Sequence, residues 1–187
     1  VRKPPGRSPA GPRPPSGWTT LTIVRHACAG DKRTWPGNDS RRPLDAVGVR
    51  QAAALADALA DDSVRRLVAS PTKRCVDTLA PLAERLHLEI ETARELSPGG
   101  SIELLFGDRH HGWSDAICCT HGELMRPFLQ QLRADRVQVA AERGDDEWLL
   151  LKGSAWRIVL DPYGRVAKLT HQTPLRLTGC EASATSD

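Results

Sequence analysis

The sequence predicts an α/β protein of three layers, α/β/α, with a mainly parallel sheet and a late antiparallel strand or hairpin. Short apolar runs alternate with amphipathic stretches of helical length through the middle of the chain. The connections between them carry Gly, Pro, Asn and Asp, and the last two runs meet at the turn signal Asp161-Pro162-Tyr163-Gly164.

The elements follow in order. TTLTIV at 19–24 reads as a strand buried on both faces, followed by a polar loop from Ala29 to Pro43. Val49, Ala52, Leu55, Ala56 and Leu59 recur at helical spacing behind a capping Asp45, which predicts a helix from Ala46 to Ala60. VRRLVAS at 64–70 is a second strand, and Ser70-Pro71 supplies an N-cap and a proline at the first helical position. Pro81 then predicts a kink or a restart near Leu79. LEIET at 88–92 alternates like an edge strand, and Pro98-Gly99-Gly100 precedes a short helix around Ile102 to Leu105. DAICCT at 115–120 is a third buried strand, and ELMRPFLQQLRA carries a helical pattern. EWLLL, SAWRIVLD and RVAKLTH read as strands, the last two forming the hairpin.

Composition bounds the function classes. The 187 residues, 40% hydrophobic and 26% charged, suit one domain, expected over residues 18–178. Residues 1–17 hold six prolines and read as an extended, disordered arm or linker, and residues 179–187 as a disordered tail. No apolar run approaches the about 20 residues of a membrane helix. A net charge of +3 without a basic stripe outside the arm argues against nucleic acid as a partner. Cys28, Cys75, Cys118, Cys119 and Cys180 form an odd set without framework spacing, the expectation for reduced thiols in a cytoplasmic protein.

Three apolar strands end in polar surprises: Arg25-His26, Ser70 leading to Arg74, and His121. In a parallel α/β sheet those ends lie along one edge, where helices begin and their amides favour anions. Two arginines and two histidines meeting there would hold a tetrahedral dianion. A neutral imidazole has one free lone pair, so one of the two histidines could attack phosphorus, while guanidinium forks bind the equatorial oxygens. Such chemistry calls for no cofactor and no metal. Cys28, Cys118 and Cys119 beside the histidines raise zinc as a competitor. Strand alternation sends Cys118 and Cys119 to opposite faces, against one shared ion.

The stretches VRHA at 24–27, RPLDAVGVRQA at 42–52, SPTKRCVDT at 70–78, REL at 94–96 and THGE at 120–123, in that order, resemble the histidine phosphatase superfamily, whose fold is phosphoglycerate mutase-like. The resemblance covers roughly Leu21 to Arg133. It implies a phosphatase with His26 as the nucleophile that becomes phosphorylated, Arg25 and Arg74 as phosphate clamps, and His121 as a further catalytic and phosphate-binding group. Glu95 would protonate the leaving oxygen and later activate water. Glu123, opening a helix, fits a dipole contact instead. Ala27 stands where the family commonly has Gly, and CAGDKRTW lacks the Asn many members carry in the pocket, leaving Arg42 or Thr34 to fill the gap.

The stretch from His87 to Asp115 is too short for the lid of the large sugar-phosphate mutases, so the pocket should be open. That resembles the small branches: bacterial phosphohistidine phosphatases, and phosphatase domains fused to Nudix hydrolases, which KGSAW followed by IVLD resembles. The substrate would be a small phosphorylated molecule, a nucleotide or a phosphoprotein, with a non-catalytic phosphate-binding module of the same fold as the alternative. Trp35 or Trp113 could stack on a base, although partly buried structure is the plainer reading of each, and Trp156 reads as core. His110-His111 reads as an exposed pair.

Overall fold

β1 (Thr19–Arg25) is buried at every residue, as its unbroken apolar and β-branched run requires of a strand covered on both faces. The structure, a computed structural model, describes residues 15–61, 63–106, 112–137, 139–141 and 150–172. The remaining elements among the described residues are α1 (Ala46–Leu59), β2 (Arg66–Ala69), α2 (Lys73–Leu86), β3 (Ile90–Thr92), β4 (Ala116–Thr120), α3 (Gly122–Ala134), β5 (Val139–Ala141), β6 (Ala155–Leu160) and β7 (Val166–Gln172), with short 3-10 turns at Lys32–Thr34, Asp39–Arg41, Arg94–Leu96 and Ile102–Leu105. Among the described residues the sheet has seven strands in the order β3-β2-β4-β1-β6-β7-β5. β3, β2, β4 and β1 are parallel, β6 runs antiparallel to both β1 and β7, and β5 pairs parallel with β7.

The three layers follow from side-chain alternation along the central strands. Val24, Leu67 and Cys119 pack under α1 and α2 with Leu55, Leu79 and Leu82. Ile23, Val68 and Cys118 face the other way, toward Met125 and Leu129 of α3 and Leu96 and Ile102 of the 3-10 turns. Cys118 and Cys119 thus lie on opposite faces, as their adjacency predicts. Trp156 is fully buried and stacks on His171 at 4.4 Å. Among the described residues no helix is long and apolar enough to cross a membrane.

Several expectations need correction. Val49 is 59% exposed, so the buried stripe of α1 runs through Gly48, Gln51, Ala52 and Leu55 instead. α2 starts at Lys73 behind Thr72, and Ser70 does not cap it, because its hydroxyl is engaged with a histidine across the sheet edge. Pro81 neither stops nor restarts α2: it removes one amide donor, but Leu79 and Leu82 are buried around it and hold the turn in place. Leu150 and Leu151 are not in a strand, and residues 142–149, with most of EWLLL, lie outside the described residues. β5 had no distinct sequence signal. Cys28 is disulfide-bonded, whereas Cys75, Cys118 and Cys119 are free thiols, so the expectation of five reduced thiols fails at Cys28. The arm through residue 14, the tail and His110-His111 lie outside the described residues.

Gly48 lets α1 approach the loop after β1, since a Cβ there would overlap the Cys28 carbonyl oxygen. Gly48→Ala should cost about 1–3 kcal/mol in urea unfolding. Val49→Ala, one residue on and exposed, should stay within about 0.5 kcal/mol of the parent. Equal effects from the two would overturn this account of the contact.

Candidate active site

Backbone bonds continue the parallel ladders one residue past the strands. His26 N–H donates to Thr120 O at 3.0 Å, and Ser70 N–H to Cys119 O at 3.0 Å. The carboxyl ends of β1, β2 and β4 are thereby locked side by side, and α2 and α3 both begin at that edge. Arg25, His26, Arg74 and His121 are all buried there. The His26 and His121 rings meet edge to face with centroids 5.2 Å apart.

His26 Nδ1 lies 2.8 Å from the carbonyl oxygen of Ala27. A carbonyl only accepts, so Nδ1 carries the proton and Nε2 keeps its lone pair. Burial pushes the pKa of His26 well below 6.5, His121 lowers it further, and Arg74 and Arg25 act in the same direction against the opposing Ala27 bond. The site therefore holds a neutral imidazole with Nδ1 fixed as donor and the lone pair of Nε2 free.

Arg74, in the first turn of α2, donates through Nη1 to the Asp39 carbonyl at 2.8 Å and pairs with the Asp39 carboxylate at 3.2 Å. Its Nη2 lies 3.3 Å from His121 Nδ1. A guanidinium only donates, which makes His121 Nδ1 an acceptor and leaves Nε2–H to donate to Ser70 Oγ at 3.0 Å. Arg74 Nε is buried with no hydrogen-bond partner among the described residues, a donor suited to an anion's oxygen. Arg25 closes β1, and its Nη1 donates to Leu150 O at 2.6 Å. A Cβ on Gly122 would come 3.0 Å from Arg25 Cζ, so the glycine of the His-Gly pair makes room for this guanidinium.

A second ring of residues holds the first. Thr78 Oγ1 accepts from Ala27 N–H at 3.0 Å and donates to Arg74 O at 2.6 Å, tying the loop after β1 to α2. Gln51 accepts from Cys28 N–H at 2.9 Å and donates to Lys152 O at 3.1 Å. Arg42 is buried and fixes the loop through the carbonyls of Ala29 and Gly30 at 2.8 and 3.0 Å, with Nε on Asp39 at 2.7 Å. Thr34, the other candidate for the missing Asn, is exposed and donates to Asp31 O within its own loop.

Sequence reasoning missed Asp39, Gln51 and the use of Ser70. Gln51 did leave a signal, as a polar residue on the apolar stripe of α1 four positions before Leu55. Glu95 sits in a 3-10 turn (Arg94–Leu96) anchored at the same edge, where Thr120 Oγ1 donates to Leu96 O at 2.7 Å. Its side chain is exposed and, among the described residues, makes no hydrogen bond to the other four. Glu123 is exposed in the first turn of α3, as a dipole contact requires. Trp113 is half-buried under Arg66, packed on the α3-side core.

A lowered His26 pKa has a defined sign for stability. Above pH 6.5 both folded and unfolded chains carry this imidazole neutral; as pH falls below 6.5 the unfolded chain takes up the proton first, so stability drops in that window. NMR titration should place the His26 midpoint below 6.5, and His26→Asn should flatten the acid-side fall in unfolding free energy. A midpoint at or above 6.5 would contradict the assignment.

Comparison with known proteins bears on this geometry. Residues 21–108 match the family described as "Histidine phosphatase superfamily (branch 1)". The chain is 29% identical over 152 residues to the 8-oxo-(d)GTP phosphatase of Mycolicibacterium smegmatis, covering 75% of this chain and 44% of that protein. It is 49% identical over 103 residues to protein Rv0525 of Mycobacterium tuberculosis, covering 52% of this chain and 48% of the other. The chain thus spans about half the length of the curated relatives it matches. The structure of the protein histidine phosphatase SixA complexed with tungstate superposes with a TM-score of 0.62, at 22% identity, over 83% of this chain and 97% of that one, which shows a common fold. The segment similar to the histidine phosphatase superfamily thus spans Arg25, His26, Arg74 and Glu95.

Proposed function

We propose that this chain is a phosphatase that hydrolyses phosphate monoesters through a phosphohistidine intermediate, without a metal ion, acting on a small phosphorylated molecule, a nucleotide or a phosphoprotein. The observation that carries the reading is the bond from His26 Nδ1–H to Ala27 O, which leaves the Nε2 lone pair free on a neutral imidazole that feels the charges of Arg74 and Arg25.

In the first step the Nε2 lone pair forms the N–P bond while the P–O bond to the leaving group breaks, and the departing oxygen takes a proton from Glu95. Arg25, Arg74 and His121 bind the phosphoryl oxygens, and the amides opening α2 and α3 add to the positive potential. In the second step water, its proton passing to Glu95, attacks phosphorus. The N–P bond breaks and its electron pair returns to Nε2 as phosphate departs. The relative named as an 8-oxo-(d)GTP phosphatase supports a phosphorylated small molecule as substrate. A cytoplasmic setting belongs to the same proposal: the three free thiols support it, and the disulfide at Cys28 weighs against it.

The exposed position of Glu95 favours a second reading, a phosphate-binding module without turnover. p-Nitrophenyl phosphate in the presence of EDTA separates the two, because its good leaving group needs little protonation. The enzyme should turn over, acid quenching should trap a phosphorylated His26, and His26→Ala should lower kcat by about a thousandfold or more. Full inactivity with phosphate still bound selects the module. Loss of activity in EDTA refutes the metal-free mechanism. Glu95→Gln should slow an alkyl phosphate by about a hundredfold and leave p-nitrophenyl phosphate far less affected. Equal losses on both would remove Glu95 as the proton donor.

A further inference from the structure

We infer that Trp35 is the platform on which the substrate's leaving group stacks, which makes a nucleotide, with its flat heteroaromatic base, the substrate class of this site. The inference rests on the phosphatase reading above.

Trp35 is an indole that the protein does not use for its core. The two buried clusters, together with the half-buried side chains packed against them, take in Trp156 and Trp113 and leave Trp35 out. It is half-buried on its own loop, where Gly37 lies against the Nε1 edge of the ring: a Cβ at Gly37 would come 3.2 Å from Nε1.

The ring is nevertheless fixed, and fixed to the phosphate site. Trp35 Nε1–H donates to Asn38 O at 3.1 Å. Asn38 caps the following turn through Oδ1, which accepts from Ser40 N–H at 2.9 Å. The next residue is Asp39, whose carbonyl and carboxylate both hold Arg74. One peptide unit therefore separates the carbonyl that pins the indole from the residue that grips the phosphate clamp.

The chemistry of the ring selects for stacking. Its one polar atom is already committed to Asn38, so what remains for a ligand is the π surface, which recognises a flat ring without reading hydrogen bonds. Exposed Lys32 opens the same loop, and its charge acts on Asp39. That cation suits a leaving group that itself carries phosphate.

The test uses the intact chain with three substrates: guanosine 5′-diphosphate, acetyl phosphate, which has no ring, and a phosphohistidine peptide, whose ring is small. Trp35→Ala should lower the ratio of kcat/KM for the nucleotide to that for acetyl phosphate by about tenfold, chiefly through KM. Trp35→Phe, which keeps an aromatic face but not the Asn38 bond, should keep most of that ratio. An unchanged ratio in Trp35→Ala overturns the inference, since the indole would then serve only to hold its loop. A fall on the phosphohistidine peptide as large as on the nucleotide overturns the choice of nucleotide. Turnover of acetyl phosphate by the parent without turnover of the nucleotide overturns this inference and leaves the phosphatase reading standing; turnover of none of the three overturns this inference, and turnover of p-nitrophenyl phosphate, a phosphate monoester, then decides the phosphatase reading.

Discussion

The whole site depends on two backbone hydrogen bonds that carry the parallel ladders past the ends of their strands. His26 N–H to Thr120 O and Ser70 N–H to Cys119 O set the register in which Arg25 stands opposite Thr120 and Ala69 opposite Cys119. Alternation leaves no freedom here. A slip of one residue in either pair would turn every side chain of that strand to the other face and carry its core residues with it. The apolar packing of Val24, Leu67 and Cys119 under α1 and α2 therefore also fixes where the His26 and His121 imidazoles meet.

Charge in the pocket is arranged so that it is oriented without being cancelled. Arg25 donates to the Leu150 carbonyl, and Arg42 to those of Ala29 and Gly30. Arg74 donates to the Asp39 carbonyl, and the Asp39 carboxylate is shared between Arg42 and Arg74. Carbonyl dipoles satisfy buried guanidinium donors while leaving the net positive charge available to a dianion. The same positive field, added to burial, keeps His26 neutral, so the groups that would bind phosphate also keep the imidazole at this edge unprotonated.

Small residues make this density possible. Gly48 admits the Cys28 carbonyl, Gly122 admits the Arg25 guanidinium, and Ala27 is fully buried between Thr78 and the His26 ring. Gln51 then ties α1 to the segment that receives Arg25, since Gly153 N–H bonds the Arg25 carbonyl next to the Lys152 carbonyl that Gln51 holds. Substitution at these positions acts on geometry rather than on any group that would touch substrate.

The chain order of the elements, the buried strands, the Asp45 cap and the late hairpin were legible in the sequence, because hydrophobic period and turn chemistry are local properties. Arg25, His26, Arg74 and His121 were legible too, as polar residues where apolar strands end, a position the parallel sheet converts into a shared edge. What the sequence could not determine were choices between partners far apart in the chain. Ser70 looked like a helix cap until His121 claimed its hydroxyl, and Pro81 looked like a break until Leu79 and Leu82 were buried around it. Asp39 reads as one more loop carboxylate until Arg42 and Arg74 close on it from opposite sides. Local pattern records which residues can occupy an edge; only packing decides which donors and acceptors are left there to find each other, because that depends on distances no spacing rule contains.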